Sequence, residues 1–94
     1  MMPYQLIYTN SFKKDLRLAK KRNYDMKKME EVLTLLKSGK KLPRKYKDHQ
    51  LKGNLSKFRE LHIQPDWLLI YTKNDTELIL TLSRTGSHTE LLKK

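Results

Sequence analysis

Residues 58–72 read FRELHIQPDWLLIYT, and this stretch decides the fold. Alternation of side chains over Phe58–Ile63 predicts a strand, and the apolar run Trp67–Thr72 predicts a second strand that lies centrally in a sheet. Pro65 fixes φ at the second position of a tight turn, and Asp66 suits the third. The stretch therefore predicts a β-hairpin.

The same hairpin carries side chains that can do chemistry. In its first strand the alternation puts Glu60 and His62 on the same face. Asp66 and Trp67 follow His62 within six positions. The hairpin is therefore a candidate functional element as well as a structural one.

The preceding residues predict one strand and two helices. Tyr4–Tyr8 is a short β-prone run, and from Phe12 onward apolar residues recur at helical spacing. Asn23-Tyr24-Asp25 interrupts the first helix, and a second amphipathic helix runs from Met26 to about Ser38-Gly39. So short a connection predicts an antiparallel helical hairpin.

Two further segments complete the chain. Residues 37–57 contain eight lysines and arginines, one aspartate and little periodicity, which predicts an irregular, charged connector. The connector is either a solvated loop or a loop pinned against the body of the domain by four candidate anchors: Leu42, Tyr46, His49 and Leu51. After another turn, Thr76–Arg84 predicts a last strand, in which Leu78, Leu80 and Leu82 alternate with polar residues.

The order of these elements, β-α-α-β-β-β, predicts an α+β fold in a single domain, residues 1–94. We expect an N-terminal strand, an antiparallel helical hairpin and a three-stranded antiparallel meander, with the helices packed on one face of the sheet. The absence of cysteine excludes disulfides, thiolate nucleophiles and cysteine-ligated zinc. No apolar run resembles a signal peptide or a membrane span, which predicts a soluble cytoplasmic protein.

The net charge of +11 is distributed unevenly. Residues 1–57 hold 16 lysines and arginines against 5 aspartates and glutamates, whereas residues 58–94 hold 5 of each. A strongly basic half is thus joined to a neutral half that carries the hairpin. This asymmetry indicates a polyanionic partner such as nucleic acid.

The predicted meander brings several chemical groups to one rim of the sheet. The hairpin turn lies at the end of the sheet where the last strand finishes, so we expect five residues to converge there: His62, Asp66, Trp67, Arg84 and His88. Two histidines, or one with a carboxylate, can divide the roles of base and acid. Arg84 could hold a phosphate and Trp67 could stack on a base.

This combination fits cleavage of RNA by attack of the ribose 2′-hydroxyl, which requires no metal and no cofactor. Each residue also has a structural explanation, since Asp66 can simply form the turn, Trp67 can belong to the core and Arg84 can end a strand. A metal site built from the three histidines and an aspartate is disfavoured, because no pair has helical ligand spacing.

Three motifs carry a resemblance to a known family: YKDHQLKGN at residues 46–54, the hairpin FRELHIQPDWLLIY at residues 58–71, and RTGSH at residues 84–88. They resemble the YafQ branch of the RelE/ParE toxin superfamily, and the spacing of the N-terminal strand and helices is similar too. The resemblance covers nearly the whole chain and implies a RelE-like fold.

The resemblance implies a ribosome-dependent mRNA interferase of a type II toxin–antitoxin system that cuts mRNA in the ribosomal A site. Carried over by position, the family's catalytic residues are His49, His62, Asp66 and His88. Substrate or phosphate binding falls to a second group: Trp67, Arg84, Lys47 and Lys52. The implied partners are the ribosome, mRNA and an acidic antitoxin with a DNA-binding part, with no membrane, metal or small-molecule cofactor.

Roles within this set follow as a hypothesis: His88 is the general acid, His62 or Asp66 the general base, and His49 and Arg84 hold phosphate. The family often carries an aromatic residue four positions after the last histidine, where this chain has Leu92. Any stacking role at that position is therefore in question.

Three other functions stay open from the sequence. A ParE-like relative would inhibit DNA gyrase by binding, although an inhibitor needs no set of acid and base groups. A non-catalytic RNA-binding module would rely on charge alone and would bind less tightly as salt rises. A metal-dependent nuclease would lose activity with chelator.

Overall fold

A computed structural model describes residues 3–91 of the chain. Its elements follow one another as β1 (Gln5–Tyr8), α1 (Asn10–Lys21), α2 (Met26–Ser38), β2 (His49–Gln50), β3 (Arg59–Gln64), β4 (Trp67–Asn74), β5 (Ile79–Gly86) and α3 (His88–Leu91). Single 3-10 turns at Arg44–Tyr46 and Gly53–Leu55 flank β2. The predicted α+β class and its element order are confirmed, with β2 and α3 as additions.

Local capping explains where the two long helices begin and end. α1 begins before the predicted Phe12, because the Thr9 hydroxyl accepts the Phe12 N–H at 3.1 Å. Asp25 caps α2 by accepting the Lys27 N–H at 3.0 Å, and α2 ends where Gly39 adopts a φ of 74°. No helix among residues 3–91 is long and apolar enough to cross a membrane.

The sheet has the strand order β1-β5-β4-β3-β2. β1 pairs with β5 in parallel, with Gln5 opposite Ile79, and the other pairs are antiparallel. The apolar stripes of α1 and α2 cover one face, and the core there comprises Phe12, Ala19, Met29, Val32, Leu36, Leu61, Ile63, Trp67, Leu69, Tyr71, Leu80 and Leu82. Because strand side chains alternate, Glu60 and His62 point to the opposite face.

The connector between α2 and β3 is largely irregular, as predicted, but it is held to the domain. Part of it forms β2, in which His49 lies opposite Glu60 of β3. Tyr46, one of the anchors that the sequence suggested, is only 6% exposed and belongs to the core, and Asp48 is bonded to β3 and β4. The alternative of a fully solvated loop therefore does not hold for this segment.

The last strand begins later than predicted. The side-chain oxygen of Asn74 accepts the Glu77 N–H at 2.9 Å, which extends the turn after β4. Leu78 therefore lies in the turn with a φ of 56° and is 41% exposed, rather than alternating within the strand. β5 starts at Ile79 instead of Thr76 and continues to Gly86.

Two register shifts set the directions of side chains near the hairpin turn. In β3 the register shifts between His62 and Gln64, and in β5 it shifts after Leu82, so that Arg84 lies opposite Ile70 of β4. Ile70 points away from the helices, and Arg84 shares its face. A strand of strict alternation would have put Arg84 on the core face together with Leu82.

Candidate active site

Three histidines from separate segments meet on the sheet face that the helices leave open. His49 of β2 lies opposite Glu60 of β3, and Glu60 precedes His62 by two positions in the same strand. His88 begins α3 at the end of β5, beside the β3–β4 turn that carries Asp66. The rings of His62 and His88 lie 5.6 Å apart. The structure therefore assembles all four residues that the sequence proposed as catalytic.

Glu60 lies beneath this cluster, and sequence reasoning did not select it. The residue is 5% exposed, and its Oε1 lies 3.4 Å from His49 Nε2 and 3.9 Å from His62 Nε2. Among the described residues its Oε2 has no hydrogen-bond partner. The signal was available, because alternation put Glu60 and His62 on the same face, but a single glutamate in a strand suggests no role on its own.

The buried carboxyl of Glu60 constrains the protons of its neighbours. An ionised carboxylate in so dry a position is costly unless a positive charge or donor stands beside it. The nearest such groups are the two imidazoles. The nearer of them is His49, whose Nε2 lies 3.4 Å from Glu60 Oε1.

In each of the three imidazole rings, Nδ1 is the nitrogen that contacts an oxygen atom. Nδ1 of His49 lies 2.7 Å from the Lys47 carbonyl oxygen, and Nδ1 of His62 lies 3.2 Å from the Pro65 carbonyl oxygen. Nδ1 of His88 lies 3.0 Å from Asp66 Oδ1. Each partner is an acceptor oxygen, so each Nδ1 is assigned as the N–H donor. Nε2 is therefore the nitrogen left for proton transfer in all three rings.

Asp66 acts on His88 from the turn. Its side chain accepts both the ring Nδ1–H of His88 and the backbone N–H of the same residue, the latter at 3.2 Å. These two bonds lower the pKa of the Asp66 carboxyl below its usual value, the ring bond contributing most. A carboxylate held ionised in this way suits the orientation and charge stabilisation of an imidazole better than the uptake of a proton.

Trp67 does not offer a stacking surface. Its side chain is 2% exposed, its indole N–H donates to the Thr85 hydroxyl at 2.9 Å, and its ring meets Tyr24 edge-on at 4.9 Å. The sequence placed Trp67 beside the histidines as a surface for a base, and this assignment was wrong. The odd-numbered residues of β4 face the helices, so the indole is part of the core.

Arg84 is also occupied elsewhere. Its Nε and one terminal nitrogen bond both carboxylate oxygens of Asp15, at 2.6 and 3.2 Å, and this pair raises the pKa of the guanidinium. Within residues 3–91 no contact joins Arg84 to the histidines. The predicted phosphate-binding role is therefore not supported, because α1 supplies a competing carboxylate.

The two loop lysines differ from each other. The Lys47 carbonyl oxygen accepts the Nδ1–H of His49, and Lys47 lines a cavity of about 400 Å³ that His62 also lines. Lys52 is exposed and precedes the turn at Gly53–Leu55, with no recorded contact to the histidines in the described part of the chain. Leu92, the position expected to differ from the family, lies outside the described residues.

A partly buried network fixes the loop that presents His49. Asp48 accepts the Tyr71 hydroxyl at 2.5 Å and an Arg59 N–H at 2.9 Å. Burial and the bond to Asp48 raise the pKa of the Tyr71 hydroxyl, and the same carboxylate raises that of Arg59. The residue next to His49 is thus anchored to two strands.

Comparison with known proteins gives consistent matches over nearly the whole chain. Residues 4–93 match the profile of a family described as a bacterial toxin of a type II toxin-antitoxin system, YafQ. The mRNA interferase toxin YafQ of Escherichia coli K12 is 40% identical over 92 residues, which cover 97% of this chain and 98% of the relative.

Solved structures agree with the sequence matches. The E. coli DinJ-YafQ toxin-antitoxin complex contains a chain that superposes with a TM-score of 0.87 at 40% identity, covering 95% of this chain and 97% of that one. A metal-bound toxin from Helicobacter pylori gives 0.86 at 42% identity, covering 94% and 98%. In residues 3–91 of this chain, no group of three or more histidine, aspartate or glutamate side chains is arranged to hold a metal ion.

Proposed function

Because the chain belongs to the YafQ family of bacterial toxins from type II toxin–antitoxin systems, we propose that it is an mRNA interferase that cuts mRNA on the ribosome. Its E. coli relative carries the name mRNA interferase. One observation carries the proposal to this chain: three histidines from separate segments lie around Glu60 and Asp66, and the Nδ1 atom of each is held by an oxygen acceptor.

The proposed reaction is a transfer within the RNA. The Nε2 of neutral His62 removes the proton of the ribose 2′-hydroxyl, and the resulting oxygen attacks the adjacent phosphorus. The bond from phosphorus to the 5′-oxygen breaks, and protonated His88 gives its Nε2 proton to that leaving oxygen. The products are a 2′,3′-cyclic phosphate and a free 5′-hydroxyl.

The environments of the two rings support this division of roles. The distance of 3.9 Å from His62 Nε2 to Glu60 is too long for a hydrogen bond, so the lone pair is available, yet the carboxylate is near enough to stabilise the imidazolium that forms. Asp66 accepts the Nδ1–H of His88 at 3.0 Å and so fixes the orientation of the ring whose Nε2 donates the proton. His49, beside Glu60, supplies positive charge toward the phosphate.

The test uses ribosomes carrying a defined mRNA. The wild-type protein should cut the mRNA within one codon and leave a cyclic phosphate. The rate of mRNA cleavage by His88→Ala should be lower by at least about 10²-fold, the usual contribution of a general acid. Chelator should leave the rate unchanged. A His88→Ala variant with wild-type cleavage would contradict the role of His88, and loss of cleavage with chelator would favour a metal-dependent nuclease instead.

Induction of the protein in cells separates the other functions. A gyrase inhibitor would damage DNA and leave mRNA intact, and a binding module would retain its effect without any of the histidines. Action on translating ribosomes also requires a cytoplasmic location.

We further propose that the partner of this chain is a cognate antitoxin. The supporting observation is that the E. coli relative is found in a complex with DinJ. An excess of 11 positive charges favours an acidic antitoxin. Co-expression with the protein of the neighbouring reading frame should restore growth and yield a complex that purifies intact.

A further inference from the structure

A cavity of about 400 Å³ lies beside His62, outside the cluster of catalytic groups. Its floor is formed by Tyr46, and its walls by Lys28 of α2, by Lys45 and Lys47 of the loop, and by Gln64 at the end of β3. The volume lies within the range of small-molecule sites, about 300–1,000 Å³. His62 belongs both to the lining of the cavity and to the histidine cluster, so the two adjoin at this residue.

The cavity exists because β2 is short. Among the residues that the structure describes, β2 pairs with Arg59 and Glu60 alone, so the outer edge of β3 beyond Glu60 has no neighbouring strand. α2 passes on one side of that edge, and the 3-10 turn at Arg44–Tyr46 passes on the other. The resulting space opens to solvent next to the scissile site.

The charge of the cavity favours an anion. Three lysines face it against one acid, Glu31. Lys45 extends over the Tyr46 ring, with Nζ 5.1 Å from its centroid, so its position is partly fixed. These lysines belong to the basic half of the chain, whereas His62 and His88 belong to the neutral half. The cavity therefore lies between the basic half of the chain, residues 1–57, and the neutral half, residues 58–94.

We propose that this cavity binds the nucleotide that adjoins the scissile phosphate of single-stranded RNA, an inference that rests on the proposed RNA-cleaving function. Its phosphate lies among Lys28, Lys45 and Lys47, and its base lies over the apolar floor. Gln64, whose amide can donate and accept, reads the edge of that base. The RNA strand then continues past His62 to His88.

Binding of a 2′-O-methyl oligoribonucleotide of about 12 nucleotides tests the proposal, because such a strand has no 2′-hydroxyl to react. Fluorescence anisotropy is measured over a series of KCl concentrations. The double variant Lys28→Ala/Lys45→Ala should bind about tenfold more weakly, and its plot of log affinity against log salt should be shallower by about 0.7, the value for the one phosphate that these lysines hold.

Two comparisons make the result specific. The double variant Lys13→Ala/Lys14→Ala removes the same charge from exposed positions of α1 and should change the affinity by less than about threefold. Glu31→Gln removes the acid of the cavity and should strengthen binding. All exchanged side chains are exposed, so circular dichroism should show unchanged folding.

The outcomes separate this proposal from the one on which it rests. If the cavity variant and the α1 variant weaken binding equally, or if Glu31→Gln has no effect, the cavity is not the nucleotide subsite, whether or not ribosomal mRNA is cut. If binding depends on Lys28 and Lys45 but no mRNA is cut, the subsite stands and the proposed catalysis is overturned.

Discussion

Glu60 is the residue whose role changes most once the structure is known. It is an acidic side chain, 5% exposed, with one oxygen near two imidazoles and the other without a hydrogen-bond partner in the described residues. Such a group is unfavourable for stability, because burial penalises its charge. The proposed reaction would give this carboxylate a role, since a positive charge appears on His62, 3.9 Å away, during that reaction.

We therefore expect Glu60→Gln to separate activity from stability. The rate of mRNA cleavage should fall by at least about tenfold, because the imidazolium loses its counter-ion. The free energy of unfolding should change by less than about 1 kcal/mol, or increase, because a neutral amide replaces an unpaired buried carboxylate. Ribosomal cleavage and urea unfolding measure the two quantities.

Glu30→Gln is the matched control, since this glutamate is exposed on α2. It should change neither quantity. A Glu60→Gln variant that cleaves normally would show that the carboxylate is only a structural neighbour.

The pairing of Asp66 with His88 makes a prediction about pH. The pKa of Asp66 is lowered in the folded protein, so the pair stabilises the fold above the ordinary value of 3.8, and this stabilisation is lost as the pH falls through the lowered pKa. In a carboxyl-detected NMR titration, Asp66 should titrate below 3.8. In His88→Ala its pKa should return toward 3.8, and a titration unchanged by that substitution would contradict the pairing.

The residues of the site could be predicted from the sequence only in part. His62, Asp66 and His88 follow from the hairpin and the direction of the last strand. Glu60 did not, because its importance comes from burial under β2, a strand of two residues with no periodicity to reveal it. Trp67 is a core residue, which is one of the two explanations that the sequence allowed, and Arg84 pairs with Asp15 of α1, a tertiary contact that strand alternation does not reveal.

At the scale of elements, β2 is the piece that connects the basic loop to the site. It is too short to be stable alone, and its position depends on Asp48, which bonds Tyr71 and Arg59 in the sheet. A connector that the sequence predicts as irregular thereby becomes part of the scaffold for His49.

Two substitutions measure this anchor. Tyr71→Phe removes one hydrogen bond and should cost about 1 kcal/mol in the free energy of unfolding, with cleavage retained because Arg59 still holds Asp48. Asp48→Ala leaves both partners without their acceptor and should cost about 2–3 kcal/mol. Cleavage by Asp48→Ala should also fall when measured at a temperature where the variant is fully folded, because His49 loses its position. Equal effects of the two substitutions would refute this account.

Gly39 shows how the end of α2 depends on one neighbour. A Cβ atom there would lie 3.0 Å from the Tyr4 ring, and the residue has a φ of 74°. Gly39→Ala should therefore destabilise by more than about 1 kcal/mol. Gly53→Ala is the matched control, because Gly53 has a φ of 64° but no atom within 4 Å of such a Cβ. It should cost less in thermal or urea unfolding, and equal costs would mean that Tyr4 moves aside.

The elements themselves were largely predictable, because α1, α2, β3 and β4 have clear periodicity or strong turns. The start of β5 was missed by three residues, because the side chain of Asn74 extends the preceding turn in a way that the leucine alternation concealed. Parallel pairing of β1 with β5 was not predicted, since nothing local in either strand specifies a partner so far along the chain.

At the scale of the whole molecule, the uncompensated charge should oppose folding. The chain carries 21 lysines and arginines against 10 aspartates and glutamates, and most of the excess lies on α1, α2 and the loop. Mutual repulsion within this set is screened by salt. The free energy of unfolding should therefore rise between about 50 and 500 mM KCl, as measured by urea unfolding.

The double variant Lys13→Glu/Lys20→Glu lowers the net charge by four and should show a smaller rise. Potassium chloride is the suitable salt, because sulfate also strengthens the burial of apolar surface. Stability that is constant or falls with salt would mean that the ion pairs of the folded state outweigh the repulsion.

The pairing of β1 with β5 determines when, during synthesis, the sheet can be completed. β1 is synthesised first, yet its sheet partner is the last strand, with Gln5 opposite Ile79. His88 follows that same strand, so the sheet and the pair of His88 with Asp66 are completed at nearly the same stage of synthesis. A nascent chain that stops before β5 has neither a partner for its first strand nor the histidine that pairs with Asp66. In this fold the complete sheet and the pair of His88 with Asp66 therefore become available together, only after β5 and His88 have been synthesised.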